Sequence, residues 1–277
     1  MNIAEKSILI KSKKLVFGEN FGENITSQKG DGYDFCELRE YETTDDAKKI
    51  DWILSAKHSK PIIKIFNEQK DLNIAIVLLL GGSMHFGTDE FKSEKAILLA
   101  SILAFLAVRQ NDTFWAFVAQ NQLNLVVKQA KNINNAKFLV DKLTNTKCVE
   151  TQVDYKQIYS KLLKSLPKKS LVFLIGDFLE SDALGFDLLS KKYEIFALIV
   201  RDRFEEDPKF AGDLSLCDNE NGVYFGTNFD DVWRKSYKNE ISKNDAKLYE
   251  KLHKCGAKFA KFYTNEDEIK PLRKLLG

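Results

Sequence analysis

Asn73-Ile74-Ala75-Ile76-Val77-Leu78-Leu79-Leu80, closed by Gly81-Gly82, is the stretch whose reading decides the fold. It is a continuous apolar run without polar alternation, which marks a strand covered on both faces, as in a parallel sheet. The spacing predicts a helix over 91–110, built on the apolar run from Ala96 to Val108. A strand over 113–119 follows, then 123–128 as its hairpin partner or the next strand. Helical patterns over 134–143 and 155–166 lead past Pro167 to a second buried strand over 170–175. A helix over 182–192 and a strand over 194–200 repeat the cycle. Two short runs around Asn219-Glu220-Asn221-Gly222 then break the rhythm, and 213–225 reads as a hairpin insert.

A long helix over 229–254 carries Phe229, Val232, Trp233, Tyr237, Ile241, Leu248 and Leu252 at helical spacing. Thr227 and Asp230 suit a capping box at its start, and Gly256 suits the residue past its end. A strand over 257–263 and a helix over 266–276 close the chain. Strands alternating with helices predict an α/β, Rossmann-like domain with a mainly parallel central sheet, helices on both faces and right-handed crossovers.

Composition narrows the functional classes. Of 277 residues, 44% are hydrophobic, enough for a substantial core. Lys and Arg number 42 against 40 Asp and Glu, so a net charge of +2 gives no global attraction to nucleic acid or anionic membrane. The lysine pairs at 13–14, 168–169 and 191–192 lack interleaved aromatic platforms, so no nucleic-acid partner is expected. Cys36, Cys148, Cys217 and Cys255 form no C-x-x-C pair, which fits reduced thiols in a cytoplasm. The run 96–108 is shorter than the roughly 18 residues of a membrane span, so no membrane insertion is expected. Residues 1–70 differ in texture: a weak amphipathic helix, a Gly-rich stretch over 18–32, then charged alternation. They read as a small N-terminal lobe beside a sheet domain over 71–277.

That lobe holds the most informative segment. Gly30-Asp31-Gly32 precedes Phe35-Cys36-Glu37-Leu38-Arg39-Glu40-Tyr41, then Asp45-Asp46, Ile50-Asp51-Trp52 and Ser55-Ala56-Lys57. The run resembles the signature of the domain-of-unknown-function 58 family, bacterial proteins with a von Willebrand factor A-like domain. The departures are Thr44 in place of a usual glycine, and Lys48-Lys49 where arginines are common. The likeness continues through Ile175–Leu179, Ala197–Arg201, Trp233–Tyr237 and Tyr263-Thr264. It implies an A-type domain with an appended lobe, no enzymatic activity, and partnership with a MoxR-type AAA+ ATPase and that ATPase's client protein.

A domains also resemble one another in a metal-ion-dependent adhesion site (MIDAS), an Asp-x-Ser-x-Ser followed by a Thr and an Asp. Laid on this chain, the pattern meets Leu79, Gly81 and Ser83, no evident Thr over 128–135, and Asp177. A leucine and a glycine offer no ligand atom, and one hydroxyl with one carboxylate leaves at most a weak Mg²⁺ site. The site reads as degenerate, with no cofactor: Asp177 is expected to cap a turn and Ser83 a loop. Ser83, Asp177 and His253 do follow the chain order of an α/β-hydrolase triad, so a hydrolase in the strand-end crevice is the alternative. His253, however, sits in the last turn of a predicted helix, where a cation is favoured anyway. His58 and His85 read as loop residues.

The expectation is therefore a non-catalytic protein–protein interaction module acting through the rim over 81–87 and 176–181 and through 33–51. Arg39, Asp45, Asp46, Asp51, Trp52 and Lys57 are its interaction candidates. Local pairing among the acidic and basic residues of 34–64 is expected, and Trp52 is expected to pack against the sheet domain as a buried anchor.

Overall fold

In chain order the elements are α1 (Ile3–Phe17), β1 (Tyr33–Glu40), α2 (Trp52–His58), β2 (Ile62–Glu68), β3 (Asn73–Leu79), α3 (Lys92–Arg109), β4 (Thr113–Ala119) and β5 (Leu123–Ala130). They continue as α4 (Ile133–Thr144), α5 (Tyr155–Ser165), β6 (Leu171–Gly176), α6 (Phe186–Ser190), β7 (Glu194–Arg201) and α7 (Arg203–Glu206). Last come β8 (Gly212–Cys217), β9 (Tyr224–Phe229), α8 (Asp231–Lys254), β10 (Lys258–Tyr263) and α9 (Ile269–Leu276). This computed structural model describes residues 3–17, 33–43, 45–68, 71–179, 185–208, 212–217, 219 and 222–276. The Gly-rich stretch over 18–32, Thr44 and Ser181 lie outside the described residues. The chain divides into two units, Gly22–Asp71 and Met1–Phe21 with Leu72–Gly277.

The smaller unit is a β1–β2 antiparallel pair, in register from Tyr33↔Glu68 to Glu40↔Ile62 with an irregularity between Phe35 and Glu37. Its signature residues are spent on local order. Asp51 caps α2 by accepting from the Ile53 and Leu54 amides, each at 3.0 Å. The Ser55 hydroxyl donates to the Asp51 carbonyl at 2.7 Å and accepts from the Ile62 amide at 2.8 Å, stitching α2 to β2.

The larger unit has a six-stranded sheet of order β10-β7-β6-β3-β4-β5, parallel throughout except for β5, which runs antiparallel to β4. The segment 123–128, left open between hairpin partner and next strand, is thus the hairpin partner. β3 shows why its sequence is apolar without alternation. Ile74, Ile76 and Leu78 enter the core beneath α1, α3, α4 and α9, while Ala75, Val77 and Leu79 enter the opposite core beneath α5, α6 and α8. Successive side chains leave a strand on opposite faces, so burial on both sides demands apolar residues at every position.

Helix α1 precedes the small unit in sequence yet belongs with the sheet. Val16 and Leu15 are buried, and Arg109 at the end of α3 donates to the Val16 carbonyl. The weak amphipathic signal of 3–17 reflects a helix that needs only one narrow apolar face. The insert over 213–225 forms the antiparallel pair β8–β9. Because β9 runs to Phe229, α8 begins two residues later than the periodicity predicts. Asp230 alone is its N-cap, accepting from the Trp233 amide at 2.7 Å, and the side chain of Thr227 is not among those described. Gly256 follows α8 at φ 68°, the left-handed conformation that favours glycine there.

Candidate functional site

Read from the β5 edge in order of appearance, the large sheet runs 3-2-1-4-5-6, so strand order reverses between β3 and β6. Ligand crevices of open parallel sheets lie beyond the carboxyl ends of the strands at that switch point. Here Gly81 leads into a single 3₁₀ turn, Gly82–Met84, held by a 2.8 Å bond from the Gly82 amide to the Thr151 carbonyl. The Thr151 hydroxyl is shared between the carbonyls of Leu80, at 3.0 Å, and Cys148, at 2.7 Å. β6 ends at Gly176, followed by Asp177 and then Phe178 at φ 51°. A bulky buried residue in the left-handed region is a local strain, and it falls beside the crevice.

The crevice is organised by Lys92, the first residue of α3. Its side chain is 0% exposed, and its Nζ donates to Asp177 Oδ2 at 2.9 Å and to Glu205 Oε1 at 2.7 Å. Burial pulls against this charge, but the attraction of both carboxylates outweighs it, and the ammonium's pKa stands above the usual lysine value. Burial likewise pushes Asp177 up. The charges of Lys92 and Arg201, with hydrogen bonds from Lys92 and the Ser83 hydroxyl, more than reverse that and hold it below the aspartate range. Glu205 goes the other way: burial, with repulsion from Asp177, keeps it above the usual glutamate value despite Lys92 and Arg201. Its Oε2 has no hydrogen-bond partner among the described residues.

Arg201, the last residue of β7, extends the cluster. It donates to Asp245 Oδ1 at 2.9 Å, Lys261 reaches Asp245 at 2.7 Å and Glu206 at 2.6 Å, and Tyr263 donates to Glu206 at 2.8 Å. Asp202 caps α7 through the Phe204 amide at 2.9 Å and also accepts from Thr88 and from the Thr264 hydroxyl at 2.8 Å. Beside these groups is a cavity of about 640 Å³ whose lining includes Thr88, Arg203, Glu206, Asp207 and Lys238. One of its carboxylates, Asp207, pairs with Arg234 at 2.8 Å and with Lys238 at 3.0 Å.

The residues present do not fit a divalent ion. Leu79 stands at the first ligand position, so close to β6 that a Cβ on Gly176 would lie 2.8 Å from its own Cβ. Gly81 brings no oxygen, the Thr151 hydroxyl is committed to carbonyls, and the Asp177 oxygen that would face a metal faces an ammonium. Octahedral oxygen coordination needs more than the Ser83 hydroxyl and half a carboxylate.

Ser83 and Asp177 are thus brought near one another, but neither has the capping role expected of it; Asp177 Oδ2 accepts from the buried Lys92 ammonium, and Ser83 helps hold its pKa down. His253 sits at the end of α8, edge-on to Phe259 at 5.0 Å, and so lies by the amino end of β10, across the sheet from Ser83 and Asp177. Those three residues do not form a triad. Within the small unit, Arg39 pairs with Asp45 at 2.7 Å and Glu42 at 2.9 Å, as local pairing requires, and Asp46 caps the turn Ala47–Lys49. The side chains of Asp34, Glu37, Lys49 and Lys64 are not among those described.

Within its own unit Trp52 is not buried: it is 71% exposed, and its neighbour Ile53 is 75% exposed. Asp51 fixes Trp52 at the first position of α2, while the face that packs on β2 is the one carrying Ser55. Lys57 is exposed on the same helix. Lys92, Glu205 and Thr151 were not anticipated. The available signal was Lys92 directly ahead of an apolar helix: a lysine there opposes the helix dipole unless carboxylates meet it.

A six-stranded sheet of this order, with one antiparallel edge and a crevice at its switch point, defines a Rossmann-like α/β domain. The chain belongs to the family "Protein of unknown function DUF58", whose model matches residues 37–247. An uncharacterized protein of Mycobacterium tuberculosis is 21% identical over 269 residues, 95% of this chain and 85% of that protein. Among solved structures, the conserved hypothetical protein BatB from Bacteroides thetaiotaomicron is similar over 74% of this chain and 97% of its own, at 13% identity and TM-score 0.45. A von Willebrand factor type A protein from Catenulispora acidiphila is similar over 51% of this chain and 35% of its own, at 7% identity and TM-score 0.36. No helix among the described residues is long and apolar enough to cross a membrane.

Proposed function

We propose that this protein is a non-catalytic docking module that engages a MoxR-type AAA+ ATPase and its client through side-chain anchors rather than a bridging metal. The observation that carries the reading is the exposed pair Trp52–Ile53, held outward on α2 within the segment that bears the family signature. Tryptophan is among the residues most enriched in binding hot spots. Arg39 and Lys57 belong to the same unit and supply charge for a polar rim. The crevice supports the reading from the other side. Its charged groups neutralise one another, and Asp177 meets an ammonium rather than the imidazole of a proton relay. A metal-free A domain of this kind is a degenerate MIDAS whose strand-end rim, 81–87 and 176–179, offers shape instead of coordination.

Purification of the tagged chain from its native cell, followed by mass spectrometry, tests the partner. A MoxR-type AAA+ ATPase recovered with the wild type and depleted with Trp52→Ala is the expected result. Equal recovery with both chains, or recovery with neither, refutes the proposal.

A further inference from the structure

Three segments distant in sequence meet at one nitrogen. Lys92 opens α3, Asp177 follows β6 and lies 85 residues away, and Glu205 belongs to α7, 113 residues away. α7 is a single turn with no buried residue among its four, so apolar packing does little to hold it. A cation shared by ligands from separate elements is the connectivity of a structural metal site, and here it is covalently attached to the chain.

We infer that the Lys92 ammonium is a resident cation: it permanently takes the place of a divalent ion in the strand-end crevice and staples α7 to the end of β6. The contact lengths suit this role, since 2.7–2.9 Å separations are those of N⁺–H···O⁻ bonds, well beyond the roughly 2.0–2.1 Å of Mg²⁺–oxygen coordination. Two of the ammonium's three donors go to Asp177 and Glu205, carboxylates carried by separate elements. The pair of carboxylates against one ammonium is balanced further by Arg201. Unlike a metal, this cation cannot be chelated and offers no open coordination position to an incoming carboxylate. The inference concerns the crevice alone and is independent of which partner docks at Trp52.

It has a consequence a plain salt bridge lacks. Cutting the side chain back to Cβ leaves two carboxylates and a hydroxyl around a lysine-sized space, a donor set that hard cations accept. The test uses full-length chains titrated with Mn²⁺ alone, following free Mn²⁺ by electron paramagnetic resonance and melting by circular dichroism. Wild type is expected to leave micromolar Mn²⁺ free and to melt unchanged. Lys92→Ala is expected to melt lower and to gain several degrees with saturating Mn²⁺, because binding to the folded state alone stabilises it. Lys92→Ala/Asp177→Asn is expected to lose that gain. Stoichiometric Mn²⁺ uptake by the wild type, or a Lys92→Ala chain whose melting ignores millimolar Mn²⁺, overturns the inference. Should Lys92→Ala fail to fold, the wild type still decides: nitrogen-15 NMR is expected to show a slowly exchanging Lys92 ammonium at pH 8, and a fast-exchanging one refutes the staple.

Discussion

Replacing Lys92 with methionine removes one charge while keeping the side chain's length and apolar stem, so the perturbation is electrostatic. The ammonium it deletes is fully buried, 2.9 Å from Asp177 and 2.7 Å from Glu205, whose own side chains are 8% and 12% exposed. Stripping one partner from a buried pair leaves uncompensated charge and costs roughly 3–5 kcal/mol. At about 2–4 °C per kcal/mol for a unit of this size, melting falls by roughly 6–20 °C. The pH dependence has a definite sign. Without Lys92, burial is expected to dominate at both carboxylates, so their folded-state pKa values should rise above the unfolded ones. Such groups penalise the folded state at pH 7, and the penalty shrinks as pH falls toward the unfolded values of about 4. The variant's deficit should therefore be larger at pH 7 than at pH 5, and Lys92→Met/Asp177→Asn/Glu205→Gln should recover most of it. Arg201, Ser83 and Tyr237 still face the site in every variant. Urea unfolding at the two pH values, with equal denaturant slopes, measures this. A loss below about 1 kcal/mol at pH 7, or a deficit that grows toward pH 5, refutes the reasoning.

Two further outcomes rest on the same region. Gly176→Ala places a Cβ 2.8 Å from the Leu79 Cβ and 3.3 Å from the Leu79 carbonyl oxygen, between paired strands that cannot part. It should cost about 1–3 kcal/mol by urea unfolding, and an unchanged midpoint contradicts the close approach. Asp177, Asp202 and Asp245 are all held below the aspartate range, burial being outweighed by hydrogen bonds and neighbouring cations. Their stabilisation is complete above the unfolded pKa of about 3.9 and is lost as pH drops through the lower folded values. Acid unfolding followed by circular dichroism should show its steep limb below about pH 4, and Asp202→Asn should make that limb shallower. A limb centred near pH 6 contradicts the assignment.

The sheet was legible because β3, β6 and β7 are buried on both faces, and that burial forces uninterrupted apolar runs with sharp ends. The hairpin of β8 and β9 also follows from run length and punctuation. The crevice was legible only by subtraction: Leu79 and Gly81 reveal what cannot bind, while the replacement comes from Lys92 and Glu205, residues no local pattern connects. Pairing across 85 and 113 residues leaves no periodic trace, and α7 is too short to have one. The exposure of Trp52 within its own unit was not legible, because a tryptophan beside a capping aspartate suits a packed side chain and an exposed one equally. What decides is which face of α2 meets β2, and Ser55, through its bonds to Asp51 and Ile62, settles that.

The docking claim meets its most direct test in the affinity of a purified MoxR-type ATPase for wild type and Trp52→Ala, measured with magnesium and nucleotide held constant. An exposed side chain contributes little to folding, so both chains should melt within about 0.5 kcal/mol of each other. Binding should weaken by about thirtyfold, the effect of losing a hot-spot anchor worth roughly 2 kcal/mol. Equal affinities for the two equally folded chains would contradict the account.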